Sequence, residues 1–193
     1  MVPGAASCEL WTHPIQLDVV KKRSTWILKF EQSEEKNKII NKISVEEMAS
    51  KFIEEDHPTI LIDGRPLDLI LNDLFPNELL LGLIPMITDW ISLEEETKLV
   101  EDVYEANQEL KILPILMCPD DCDLSCTLVV AEVETIHDQI KWLRIGIDMN
   151  NPKELIEQNR FFETNVKWLN NMSAMTFSKD DYKSLDKIYR KNN

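Results

Sequence analysis

An α+β fold with a mainly antiparallel, meander-like sheet and several packed helices is what this sequence predicts. Three observations carry the prediction. Apolar runs at 111–117, 127–134 and 140–148 follow one another with short connections, as antiparallel strands do. Around them lie segments whose apolar residues recur at helical spacing behind recognisable start signals. The chain has 193 residues, 44% of them hydrophobic, which is enough for one sizeable core, and no internal repeat or low-complexity linker divides it. The expectation is one domain over 1–193, with residues 1–10 disordered.

Taken in order, Ile15, Leu17 and Val19 alternate with polar neighbours, and Trp26, Leu28 and Phe30 do the same after "KKRS". Both stretches predict half-buried strands joined by a turn. "SVEEMASKFIEE" predicts a helix, because Ser44 and Glu47 have capping-box spacing. "TILIDGRPLD" predicts a hairpin turning at Asp63-Gly64, since glycine tolerates the positive φ of such turns. "LDLILNDLF" returns to helical spacing before Pro76. "SLEEETKLVEDVYEANQ" is the best-marked helix, with Ser92 and Glu95 as a second capping box and Leu93, Val100, Val103 and Tyr104 on one face. Its glutamates suit the positive end of the helix dipole.

The meander follows as "KILPILM", "TLVVAEVE" and "IKWLRIGID", the second apolar on both faces and so central. Pro114 marks an edge or a bulge in the first. "KELIEQNRFFE" reads as helical, with Pro152 in its first turn. "VKWLN" and "AMTFS" read as short strands, and "SKDDYKSLDKIY" as a helix capped by Ser178 with Tyr182, Leu185 and Ile188 on one face.

Charge narrows the function classes. Lysine and arginine number 21 against 35 aspartates and glutamates, a formal charge of −14 spread along the chain. Such a surface repels nucleic acid and anionic membranes and favours a basic protein partner. The start has neither a basic segment nor an apolar one, so no secretory signal is read, and no run of about 18 apolar residues exists. The expected location is cytoplasmic, where thiols stay reduced. No nucleophile elbow, phosphate loop, dinucleotide fingerprint or H-E-x-x-H motif occurs. His13, His57 and His137 are scattered, and His57 is expected at a helix end before Pro58.

The densest chemistry is "CPDDCDLSC" from Cys118 to Cys126. On a hairpin its outer cysteines face each other. A register pairing Glu134 with Ile140 would bring Cys126 opposite Asp148. Cys118, Cys122, Cys126 and Asp148 are then candidate ligands, with zinc the expected metal, although the C-x3-C-x3-C spacing is not that of a C-x2-C knuckle. Alternatively, the aspartates brace a tight turn and the cysteines pack as small apolar residues. A reactive thiol is disfavoured, because neighbouring carboxylates raise its pKa.

The succession "LIDGRPL", "LPILMCPDDCDLSCTLVVAEVE", "IKWLRIG" and "VKWLNNMSAMTFSKDDY" resembles a loose group of small bacterial proteins. These place an early D-G hairpin before a Cys-rich strand–loop–strand, then a V-x-W strand and an F-x-F/Y piece leading into a terminal helix. The likeness runs from Ile60 to Tyr182 and includes Phe177 and Tyr182. This chain lacks the glycines of the group's loop and has Met175 at the first aromatic position. The resemblance implies a fold and no activity, and no catalytic residue is carried over.

Three functions are weighed from these observations. The first is a non-enzymatic interaction protein, in its specific form an immunity-type inhibitor masking a basic toxin, with Asp120, Asp121, Asp123, Glu94 and Glu95 as contacts. The second is a metal-binding protein built on the cysteine loop. The third is a small-molecule enzyme without a recognisable motif.

Overall fold

The computed structural model describes residues 39–157 and 165–190. From Ile40 on, these residues belong to one compact unit containing two antiparallel sheets. The first sheet has the order β1 (Ile43–Met48), β2 (His57–Ile62), β3 (Arg65–Pro66). The second runs β4 (Ile84–Pro85), β5 (Leu110–Met117), β6 (Leu128–Ile136), β7 (Gln139–Asp148), β8 (Val166–Trp168), and β9 (Met175–Ser178) also pairs with β7. The helices are α1 (Leu67–Leu74), α2 (Glu94–Glu105), α3 (Pro152–Glu157), α4 (Lys179–Tyr182) and α5 (Asp186–Tyr189). The α+β class and the antiparallel sheets are as expected. Helical packing is slighter, since α2 alone exceeds eight residues among the described helices. The expected strands around Ile15 and Trp26, and the residues after Glu157 in "KELIEQNRFFE", lie outside the described residues.

The segment expected as a helix from Ser44 is instead strand β1. Ile43 and Val45 are buried while Ser44 and Glu46 are not, which is a period of two rather than 3.6. β1 pairs along its full length with β2, from Ile43 opposite Ile62 to Met48 opposite His57. Tertiary pairing of β-branched residues outweighs the Ser-x-x-Glu signal. His57 accordingly lies inside a strand, not at a helix end. It is buried, packs its ring 5.7 Å from that of Trp90, and places Nδ1 3.0 Å from the Glu55 carbonyl.

The Asp63-Gly64 turn forms as expected, with φ of 50° and 80°, the left-handed pair that a two-residue hairpin needs. The Asp63 carboxylate also accepts from the Lys42 amide and from Asn41 Nδ2, both at 2.8 Å. α1 then buries Leu67 and Leu71. α2 forms without the expected capping box. Its N-cap is Leu93, which makes no side-chain cap and is exposed, while Leu99, Val100 and Val103 face the core. The first turn is tied instead by Thr97, whose N–H and Oγ1 both donate to the Leu93 carbonyl.

In the meander β6 is central, between β5 and β7. The ladder shifts between Pro114 and Leu116, because proline offers no N–H there. The freed carbonyls are used: Pro114 accepts from Tyr189 Oη at 2.7 Å and Ile115 from the Met86 amide at 3.3 Å. β7 is long enough to hold β9 along Gln139–Trp142 and β8 along Gly146–Asp148. In the stretch paired with β9, Trp142 is buried, donates Nε1 to Tyr182 Oη at 3.0 Å and stands edge-on to Phe177. Ser178 caps α4 by accepting from the Asp181 amide at 3.1 Å, and Tyr182, Leu185 and Ile188 are buried as the pattern required.

Candidate metal centre in the β5–β6 loop

The loop between β5 and β6 is closed at its base, where the Cys118 amide donates to the Thr127 carbonyl at 3.0 Å. This bond extends the ladder one step beyond the Met117–Leu128 pair and brings Cys118 close to Cys126. Between them the chain turns twice. Cys122 takes a φ of 48° and its Sγ donates to the Pro119 carbonyl at 3.3 Å. Asp123 accepts from the Ser125 amide at 2.8 Å and its hydroxyl at 2.7 Å. Short polar side chains bonding their own backbone in this way make the turn possible without glycine.

The loop is anchored from below by a residue that sequence reasoning passed over. Leu124 is buried, and its amide donates to Glu96 Oε2 at 3.1 Å. Glu96 is itself only 4% exposed, unlike Glu94 and Glu95 beside it. Burial raises its carboxyl pKa, the Leu124 amide opposes that rise, and the Asp123 charge adds to it. A signal was present. Glu96, Val100 and Val103 stand at i, i+4 and i+7, so the helix period puts this glutamate on the apolar face.

The anchored loop gathers the Cys118 and Cys126 sulfurs and an Asp121 carboxylate oxygen within 4.8 Å of one another. The two cysteines are half-buried and Asp121 is exposed. The thiols hydrogen-bond to each other. That bond comes first, ahead of burial, in pushing the Cys126 thiol up to about 11. Cys122 is also raised, first by burial and then by the negative groups around it. Cys122 and Cys126 are thereby held toward the neutral thiol and are poor nucleophiles.

Of the four expected ligands, the structure thus brings two together and adds Asp121. Cys122 is turned to Pro119 and stays outside the group. Asp148 is elsewhere, because the expected register does not form. Thr135, not Glu134, pairs with Ile140, and a bulge at Leu143 shifts the ladder again between Val133–Trp142 and Glu132–Arg144. Val129 then pairs with Ile147, so the next step would carry Leu128, not Cys126, to Asp148. Asp148 pairs with Val166 in β8 and accepts from Asn150 Nδ2. Burial is the main influence raising its carboxyl pKa. Among the expected partner contacts, Glu94, Glu95, Asp120 and Asp121 are exposed and Asp123 is half-buried.

Chemically, two sulfurs and one carboxylate suit zinc or a similar borderline-soft divalent ion. Bonds of about 2.0–2.3 Å imply tetrahedral edges of roughly 3.3–3.8 Å, a modest contraction of this group. Three protein ligands leave one position open. No family model, curated protein or solved structure matches the chain. Among the described residues no helix is long and apolar enough to cross a membrane.

Proposed function

We propose that this protein binds a divalent transition-metal ion, zinc in the first instance, through Cys118, Asp121 and Cys126. The observation that carries this reading is the convergence of those three donor atoms on a loop held by Glu96 and Leu124. The acidic surroundings also favour a cation. Because both thiols must be deprotonated to bind, loading releases protons and affinity rises with pH.

Cobalt(II) is the test probe, since thiolate coordination gives it strong charge-transfer absorption. The expected result is a saturable absorption at one cobalt per chain, displaced by zinc, and lost in Cys118→Ser and Cys126→Ser. Asp121→Asn keeps the thiolate band and weakens binding, whereas Asp148→Asn changes neither. A cobalt spectrum without thiolate bands, or one that survives both cysteine substitutions, refutes the assignment.

A second reading is an interaction protein for a basic partner, with the immunity-type inhibitor as its specific form. It is supported by a groove of about 560 Å³ beside the loop, bordered by Leu93, Glu95, Asp123 and Ile156. Leu93 is an exposed apolar residue set among acids. A basic partner from the native host would be held at low salt and released at high salt. Retention by a variant carrying Glu94→Lys, Glu95→Lys and Asp120→Lys contradicts this reading.

A further inference from the structure

The opposite end of the β5–β6 pair carries unlike chemistry. A groove of about 690 Å³ opens there, bounded by the C-terminal end of α2, the start of β5 and the α4–α5 segment. Its lining holds four cations, Lys111, Lys179, Lys183 and Arg190, against two carboxylates, Glu105 and Asp186. That local surplus of two positive charges stands in a chain whose formal charge is −14. Val133, Ile140 and Tyr182 supply apolar wall.

The partners of each charge determine what remains for a ligand. Lys111 donates to the Tyr104 carbonyl and, at 3.3 Å, to the Ala106 carbonyl. It thereby covers the negative end of α2, whose last turn has no basic residue. Asp186 accepts from Tyr104 Oη at 2.7 Å and lies 3.4 Å from Arg190 Nε, which is 3.9 Å from Glu105. Both carboxylates of the lining are therefore engaged. Lys183 pairs at 2.8 Å with Asp180, which stands outside the lining, and that pair is fully exposed and weak. Lys179 makes no ion pair among the described residues. Its amide donates to the Asp138 carbonyl, so the first residue of α4 is fixed against the β6–β7 turn.

From this arrangement we infer that the groove binds a small organic anion, a carboxylate or phosphate group on an apolar body. Lys179 and Lys183 meet the charge, and the Val133–Ile140–Tyr182 wall meets the body. The volume lies within the range of metabolite pockets, about 300–1,000 Å³. The site is separate from the cysteine loop and does not depend on the metal reading.

Amide chemical shifts of the metal-free chain test the inference, with benzoate and phenyl phosphate as probes and benzyl alcohol as the uncharged control. The expected result is saturable shifts confined to 104–111, 133–140 and 179–190 with one or both anions and none with the alcohol. The tighter of the two anions identifies the charged group. The pair of substitutions Lys179→Gln and Lys183→Gln, both at exposed positions, weakens binding by about tenfold while the melting temperature holds. Non-saturating or scattered shifts, equal response to benzyl alcohol, or unchanged affinity in the double variant overturns the inference.

Discussion

The two ends of the β5–β6 pair invite comparison, because one ladder supports both. Seven residue steps along β5, roughly 23 Å at strand rise, lead from Lys111 to Cys118. At the Cys118 end the backbone turns on itself, and thiols and carboxylates crowd together. Glu96, Cys122 and Cys126 are pushed toward their neutral forms by burial or by their neighbours. At the Lys111 end, cations line an open groove, and burial lowers the Lys111 pKa. The first end stores protons that a cation can displace. The second holds positive charge that an anion can use. The lesson is that net charge describes neither end, since the surplus of acids is organised rather than uniform.

The largest effect expected is one that breaks both ends together. Trp142→Ala removes a buried indole that supports β7, β9 and Tyr182 at once, and costs about 3–5 kcal/mol in chemical denaturation. Gly146→Ala is next. An added Cβ would meet Val166 Cγ1 at 2.5 Å and the Lys167 carbonyl oxygen at 2.9 Å, so overpacking of about 1–3 kcal/mol is expected.

Glu96→Ala separates the two ends. It leaves the buried Leu124 amide without its acceptor, costing about 1–3 kcal/mol, and loosens the cysteine loop. Metal affinity falls, while anion-induced shifts at the Lys111 end stay as they are. Equal losses at both ends would show that the ladder couples them. The pH dependence sharpens the same contrast. Cys126 is raised in the folded chain, so its contribution to apo stability is present below its ordinary pKa and is lost as pH rises through about 11. Metal affinity moves the opposite way and climbs with pH across that window. Least of all, Arg144→Ala removes a part-exposed pair with Glu132 and a stacking contact on Trp168. It changes stability by about 0–1 kcal/mol and leaves both ends intact.

What the sequence revealed was local. The Asp63-Gly64 turn, the three meander strands, the Pro114 irregularity and the Ser178 cap each rest on apolar patterning, turn or cap chemistry within a few residues. What it concealed depended on distant pairing. β1 carries a capping-box pattern that its β2 partner overrides. The Leu143 bulge has no glycine or proline to announce it, yet it moves Asp148 away from the cysteines. Glu96 looked like its exposed neighbours, although the helix period placed it inward. Lys111 looked like an ordinary strand-end lysine until the bare carbonyls of α2 lay beside it.

The central claim is that Cys118, Asp121 and Cys126 form a metal site that gives up thiol protons on loading. Zinc titration calorimetry of the reduced chain, run near neutral pH in two buffers of different ionisation enthalpy, tests it most directly. The account predicts one zinc per chain, proton release revealed by the difference between buffers, and loss of both in Cys126→Ser. Saturable zinc binding that persists in Cys126→Ser, or no saturable binding by the unaltered chain, contradicts it.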